Sequence, residues 1–185
     1  MKDKIIQSAM QQILKFGFRK FTIENIASDL GISKKTVYKY FESKNQIISW
    51  VIETHVELEK TRILKAMQTE GGWIEKFKEL IYKETREKAP DWLVEELQQY
   101  FPEEWEKPCA LEEYKRQQLS KLLKKGIETG DIRPNINPAI IDLALCKTIE
   151  GVFNFSFLKE HNLSLNEAIE EIEKLFLFGI MKRIS

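Results

Sequence analysis

The chain has 185 residues, 43% hydrophobic and 31% charged, an ordinary balance for a folded globular protein that excludes wholesale disorder. No apolar run approaches the ~20 residues that span a bilayer, and the start, MKDKIIQSAMQQ, lacks a signal-like apolar run with a small-residue cleavage site, so a cytoplasmic protein without membrane association is expected. Net charge is zero, yet residues 1–50 carry nine bases against four acids, a net of +5, and the remainder is −5, which is the distribution of a nucleic-acid-binding head on an acidic body.

A first helix is expected over about residues 3–16, where Ile5, Ile6, Ala9, Met10, Ile13 and Leu14 recur at helical spacing, and Gly17 ends it. Thr22 suits the N-cap of a short second helix, with Phe21 and Ile26 spaced as a hydrophobic staple. Ala27 permits a close helix crossing, and Gly31 sits where the chain turns. Ser33 caps a third helix, with Ile32 and Val37 repeating the staple. Ile26, Leu30, Ile32, Val37 and Tyr40 supply the apolar side of a helix-turn-helix. Lys34, Lys35, Thr36, Tyr38 and Lys39 are left outside, side chains suited to phosphates and base edges. The capping box Ser43 to Gln46 starts a fourth helix at Lys44 that runs to about Gln68, before Gly71-Gly72.

Further helices are expected from Trp73 to about Glu87 and from Pro90 to about Phe101. Pro102 and Pro108 interrupt the next stretch, and a long helix runs from Cys109 to Thr129, closed by Gly130 and Pro134. Asn137-Pro138 opens a helix to about Lys159. The capping box Ser164 to Glu167 opens the last, about Leu165 to Arg183. No segment reads as a strand, and no repeat occurs. Cys109 and Cys146, without metal-ligand spacing around them, are expected to be buried reduced thiols.

The run GISKKTVYKYFESKNQII resembles the DNA-binding domain of the TetR-type transcriptional regulators, through Gly31, Ser33, Thr36, Val37, Tyr38, Tyr40, Phe41, Ser43 and Lys44. That resemblance implies an all-α, nine-helix architecture, with a helix-turn-helix domain at 1–46 and an effector-binding and dimerisation domain at 47–185, the boundary lying inside the fourth helix. It also implies that Thr22 and Ser33, at helix N-termini, and Tyr38, Tyr40 and Lys44 reach the phosphate backbone of double-stranded DNA. Lys34, Lys35, Thr36 and Lys39 then face the major groove, where lysine donates to guanine and threonine touches a thymine methyl. Glu24 departs from the pattern, because an acid near a DNA contact repels phosphate unless it reads a cytosine amino group or faces away.

The body is rich in aromatic residues, which are more often core than pocket. The resemblance places a small apolar effector among them, with His55, Phe77, Trp92, Trp105, Tyr114 and Phe153 as candidate lining residues. The last two helices each carry an apolar face wider than one contact requires. Their interior glycines, Gly151 and Gly179, each cost about 1 kcal/mol relative to alanine, for which close approach of another helix would compensate. Ile149, Gly151, Val152, Ile172, Phe176, Gly179 and Ile180 are therefore candidates for a homodimer interface. No nucleophile–base pair, metal-ligand spacing or phosphate loop occurs, so neither catalysis nor a cofactor is expected. The expected function is a repressor that binds a palindromic operator as a homodimer and is released by an apolar effector. The competing readings are a ligand-independent regulator and a helical small-molecule carrier with a vestigial helix-turn-helix.

Overall fold

A computed structural model of the chain describes residues 1–86, 89–152 and 155–180. Among them are ten helices and no β-strand: α1 (Lys2–Lys20), α2 (Ile23–Asp29), α3 (Lys34–Tyr38), α4 (Lys44–Gln68), α5 (Trp73–Arg86), α6 (Asp91–Tyr100), α7 (Pro102–Thr129), α8 (Pro138–Val152), α9 (Phe155–Glu160) and α10 (Leu165–Ile180). The all-α reading holds. Against the nine helices expected, the segment 138–159 is described as α8 and α9 on either side of residues 153 and 154. The ends expected at Glu87 and Arg183 lie outside the described residues.

Two other boundaries move. Gly17 does break the first helix, with φ +85°, but a further turn beyond the break carries α1 to Lys20. Helix α7 begins at Pro102 rather than Cys109. Pro102 takes the first helical position, where a missing N–H costs nothing, and the Trp105 amide closes the first turn on the Phe101 carbonyl at 2.9 Å. Pro108 is carried inside the helix at the loss of one backbone bond. The Lys107 ammonium beside it donates to Ser49 Oγ and Glu53 of α4 and to Glu104 at 2.8–2.9 Å, and Leu111 is buried one turn on.

Packing divides the chain into two units. The first comprises Met1–Thr61 and Ala89–Glu112. In it α1 packs on α2 and α6, and α2 packs on α3. Ile5, Phe21, Ile26, Val37, Phe41, Ile47 and Ile48 form its water-free centre, each worth roughly 1.5–3 kcal/mol on burial. The Ser8 hydroxyl, buried on α1, donates to Asp29 of α2 at 2.5 Å. The second unit contains the remaining described residues. There α10 packs on α8 and α5, Phe77 stacks on Trp73 with centroids 5.0 Å apart, and Leu122, Leu123, Ile132 and Leu145 are fully enclosed. The Trp73 indole donates to the Leu122 carbonyl at 2.9 Å. It lies so close over α7 that a Cβ on Gly126 would stand 2.6 Å from its Nε1.

The local stops and starts follow the expected chemistry. Asn137 accepts from the Ala139 amide at 3.0 Å. Ser164 and Glu167 cap one another, with Glu167 accepting at 2.8 Å from the Ser164 amide and 2.6 Å from its hydroxyl; these bonds hold the Glu167 carboxyl below its ordinary pKa. Cys109 is exposed and Cys146 half-buried, which corrects the expectation of two buried thiols: both sit on helix positions turned away from the enclosed Leu111 and Leu145. Among the described residues no helix is long and apolar enough to cross a membrane, and no group of three or more His, Cys, Asp or Glu could hold a metal ion.

Candidate nucleic-acid interface

The helix-turn-helix is built from two capped helices and one anchor. Thr22 accepts from the Asn25 amide at 3.1 Å, while Asn25 Oδ1 accepts from the Thr22 amide at 2.9 Å, a reciprocal box. Ser33 accepts from the Thr36 amide at 3.1 Å, and the two hydroxyls lie 2.9 Å apart. Val37 is completely buried, so the rest of α3 is forced outward. Lys34, Lys35, Tyr38 and Lys39 are exposed and Thr36 is half-buried. Tyr40 is also exposed, at 45%, and does not join the apolar side expected of it. Helix α3 ends at Tyr38, and the turn that follows, with the Phe41 amide bonded to the Val37 carbonyl at 3.1 Å, points Phe41 into the core instead.

Glu24, left without a role by the sequence, forms an ion pair with Lys34. Lys44 is more enclosed than a simple phosphate ligand would be. Its ammonium donates to the Arg19 carbonyl at 2.8 Å and lies 4.4 Å from the Phe21 ring centroid. Burial lowers its pKa, opposed by the charge of Glu96. The cap of α4 takes a variant form: Ser43 accepts from the Gln46 amide at 3.1 Å, and Gln46 reaches back to the Glu42 amide at 2.7 Å.

Glu96 on α6 is a residue that the sequence does not single out. Its carboxylate accepts from the Phe18 amide at 2.7 Å and the Arg19 amide at 3.3 Å, the groups that the break at Gly17 releases from the α1 ladder. Arg19 lies 4.2 Å from the Tyr100 ring centroid, and Phe18 meets Phe101 at 5.8 Å. The local signal for this junction is no more than Gly17 followed by an aromatic residue.

The effector candidates are not gathered into one place. In the first unit His55 and Trp105 are half-buried, whereas Trp92 is 47% exposed and lies against Gly17. In the second, Phe77 is fully buried on Trp73 and Tyr114 is half-buried; Phe153 lies outside the described residues. The first unit also has a hollow of about 280 Å³ lined by Glu53, Val56, Glu57, Lys60, Lys107 and Ala110. Its Lys60 pairs with Glu57 at 3.0 Å. Burial works against the charge of Lys107, but its hydrogen bonds to Glu104 and Glu53 outweigh it and raise the pKa.

Of the interface candidates, Val152 and Ile172 are buried in their own chain and Phe176 is half-buried. Gly151 and Gly179 are exposed with open space before them; the side chains of Ile149 and Ile180 lie outside the described residues. The exposed apolar side chains are others: Ile140 and Leu143 on α8, and Leu175 and Phe178 on α10, the last two 68% and 80% exposed. Each pair is three residues apart and shares one stripe of its helix.

Residues 5–49 match the family model of the bacterial regulatory proteins, tetR family. Over nearly its whole length the chain is similar to the HTH-type transcriptional regulator YvaF of Bacillus subtilis, at 26% identity over 97% of this chain and 95% of the relative. Among solved structures it is similar to a transcriptional regulator from Saccharomonospora viridis in complex with choline, with TM-score 0.82, 18% identity and 98% of both chains covered. The regulator FadR of Bacillus subtilis in complex with stearoyl-CoA aligns with TM-score 0.69 at 19% identity, over 97% of this chain and 100% of FadR.

Proposed function

We propose that this chain, which belongs to the TetR family of bacterial regulatory proteins and is a DNA-binding transcriptional regulator, is a repressor that binds a palindromic operator as a homodimer and leaves it when a small apolar effector binds. The observation that carries the DNA half is the outward side of α3, where Lys35, Tyr38 and Lys39 stand exposed around the buried Val37. With Tyr40 they supply cations and phenols to phosphates and base edges. The homodimer is supported by the exposed stripes of α8 and α10, because apolar area of that kind marks an interaction surface. Two identical heads related by a two-fold axis read an inverted repeat.

Effector control has its support in the company the fold keeps, since one similar protein was crystallised with choline and another with stearoyl-CoA. The hollow beside Lys107 is lined by charged and aliphatic residues without an aromatic ring, so it lacks the cage that a quaternary ammonium prefers. An apolar effector is the better fit to the aromatic body. Selection of bound DNA from a random pool, followed by a screen for compounds that release it, tests the whole reading. A ligand-independent regulator is the competing reading, favoured by the close stacking of Phe77 on Trp73; it predicts a selected operator and no releasing compound.

A further inference from the structure

Glu24 is the second residue of α2 and Lys34 the first of α3, and their side chains are in contact across the turn as an ion pair. Both are about half exposed, Lys34 at 51% and Glu24 at 57%. An ion pair so open to water contributes little to folding. Its place is more telling than its strength. Asp29 is turned toward α1 by Ser8, and Asp3 stands in the first turn of α1. Glu24 is the acid tied to α3 among the described residues, beside the helix that presents Lys35 and Lys39 to a nucleic acid.

An acid there opposes sequence-independent binding, which is driven by neutralising phosphates. Paired with Glu24, Lys34 is also withdrawn from that pool of cations. The two groups together nevertheless have a match in the major groove. A carboxylate only accepts, and its partner there is the cytosine N4 amino group; an ammonium only donates, and its partners are guanine O6 and N7. One G·C base pair offers both along a single edge. We propose that Glu24 is a specificity-determining residue: with Lys34 it reads one G·C pair in each operator half-site, and it weakens binding to DNA that lacks that pair. This rests on the assignment of α3 as the DNA-reading helix.

The experiment compares wild type, Glu24→Gln and Lys34→Gln by selection from a random DNA pool and by binding isotherms on selected and scrambled DNA at several salt concentrations. Both side chains are exposed, and circular dichroism checks that each variant remains folded. Glu24→Gln is expected to lose the preference at one G·C pair per half-site, or move it toward A·T, since a neutral amide suits adenine. On scrambled DNA it should bind more tightly, by up to about five-fold per head, with a salt slope steeper by about 0.9 per head as Lys34 is freed for a phosphate. Lys34→Gln should lose the same base-pair preference. A Glu24→Gln variant with the wild-type consensus, or with equal losses on both DNAs, overturns the proposal. Failure of the wild type to select any sequence would instead overturn the assignment of α3.

Discussion

Removing the Glu96 carboxylate tests how the head is held together. In Glu96→Ala the Phe18 and Arg19 amides lose their acceptor. Phe18 is 3% exposed, so water cannot readily replace the carboxylate at its amide. A hydrogen bond to a charged acceptor is worth about 1.5–3 kcal/mol; the 2.7 Å bond belongs to that class, and the exposed 3.3 Å bond adds little. The expected loss is about 2–4 kcal/mol, against a total stability of roughly 5–15 kcal/mol for a domain. Glu96→Gln keeps an acceptor oxygen and should lose about half as much. Urea unfolding gives the differences at a shared slope. DNA affinity should fall without a change of consensus, because Lys44 is bonded to the same Arg19 whose amide is released. A Glu96→Ala protein within about 0.5 kcal/mol of wild type, a change typical of neutral surface positions, would refute the reasoning.

Gly126→Ala should destabilise the protein by about 1–3 kcal/mol and change tryptophan fluorescence, because the new Cβ meets the Trp73 indole at 2.6–2.8 Å and Ile132 at 2.8 Å. Phe178→Glu should yield monomers by light scattering and lose operator binding while the head stays folded; a variant that stays dimeric removes α10 from the interface. Lys44→Ala should weaken binding equally on operator and scrambled DNA, and Lys39→Ala should relax preference at particular base pairs, at about 1–3 kcal/mol for a well-made contact. Isotherms on both DNAs separate the two, and like behaviour of the variants would reduce Lys39 to diffuse positive potential.

What is legible in the sequence is local. The caps at Thr22, Ser33, Ser43, Asn137 and Ser164 are bonds between residues two or three apart, and their chemistry is written in spacing alone. Val37 is readable as an anchor for the same reason. Glu96 reaches across 78 residues to Phe18, and nothing in either neighbourhood announces the other. Glu24 and Lys34 lie on different helices, beyond any helical rule, and are joined only by the angle of the turn. In α10 the period shows an apolar helix but not its phase: Ile172 faces its own core, whereas Leu175 and Phe178 face out. Pro108 reads as a stop because propensity favours one, yet the clasp of Lys107 and the burial of Leu111 hold the helix through it.

The carboxylate on the broken end of α1 has a consequence for dissection of the protein. Glu96, Tyr100 and Phe101 come from far down the chain, and residues 89–112 pack as part of the same unit as residues 1–61. A fragment ended after the helix-turn-helix would carry every candidate DNA contact and still lack the group that closes α1. Such a fragment should be poorly stable and a weak binder even when tethered as a dimer. A chimera that exchanges regulatory bodies between relatives would need to keep α6 with the head it came from, so that the transferable module is discontinuous in the chain.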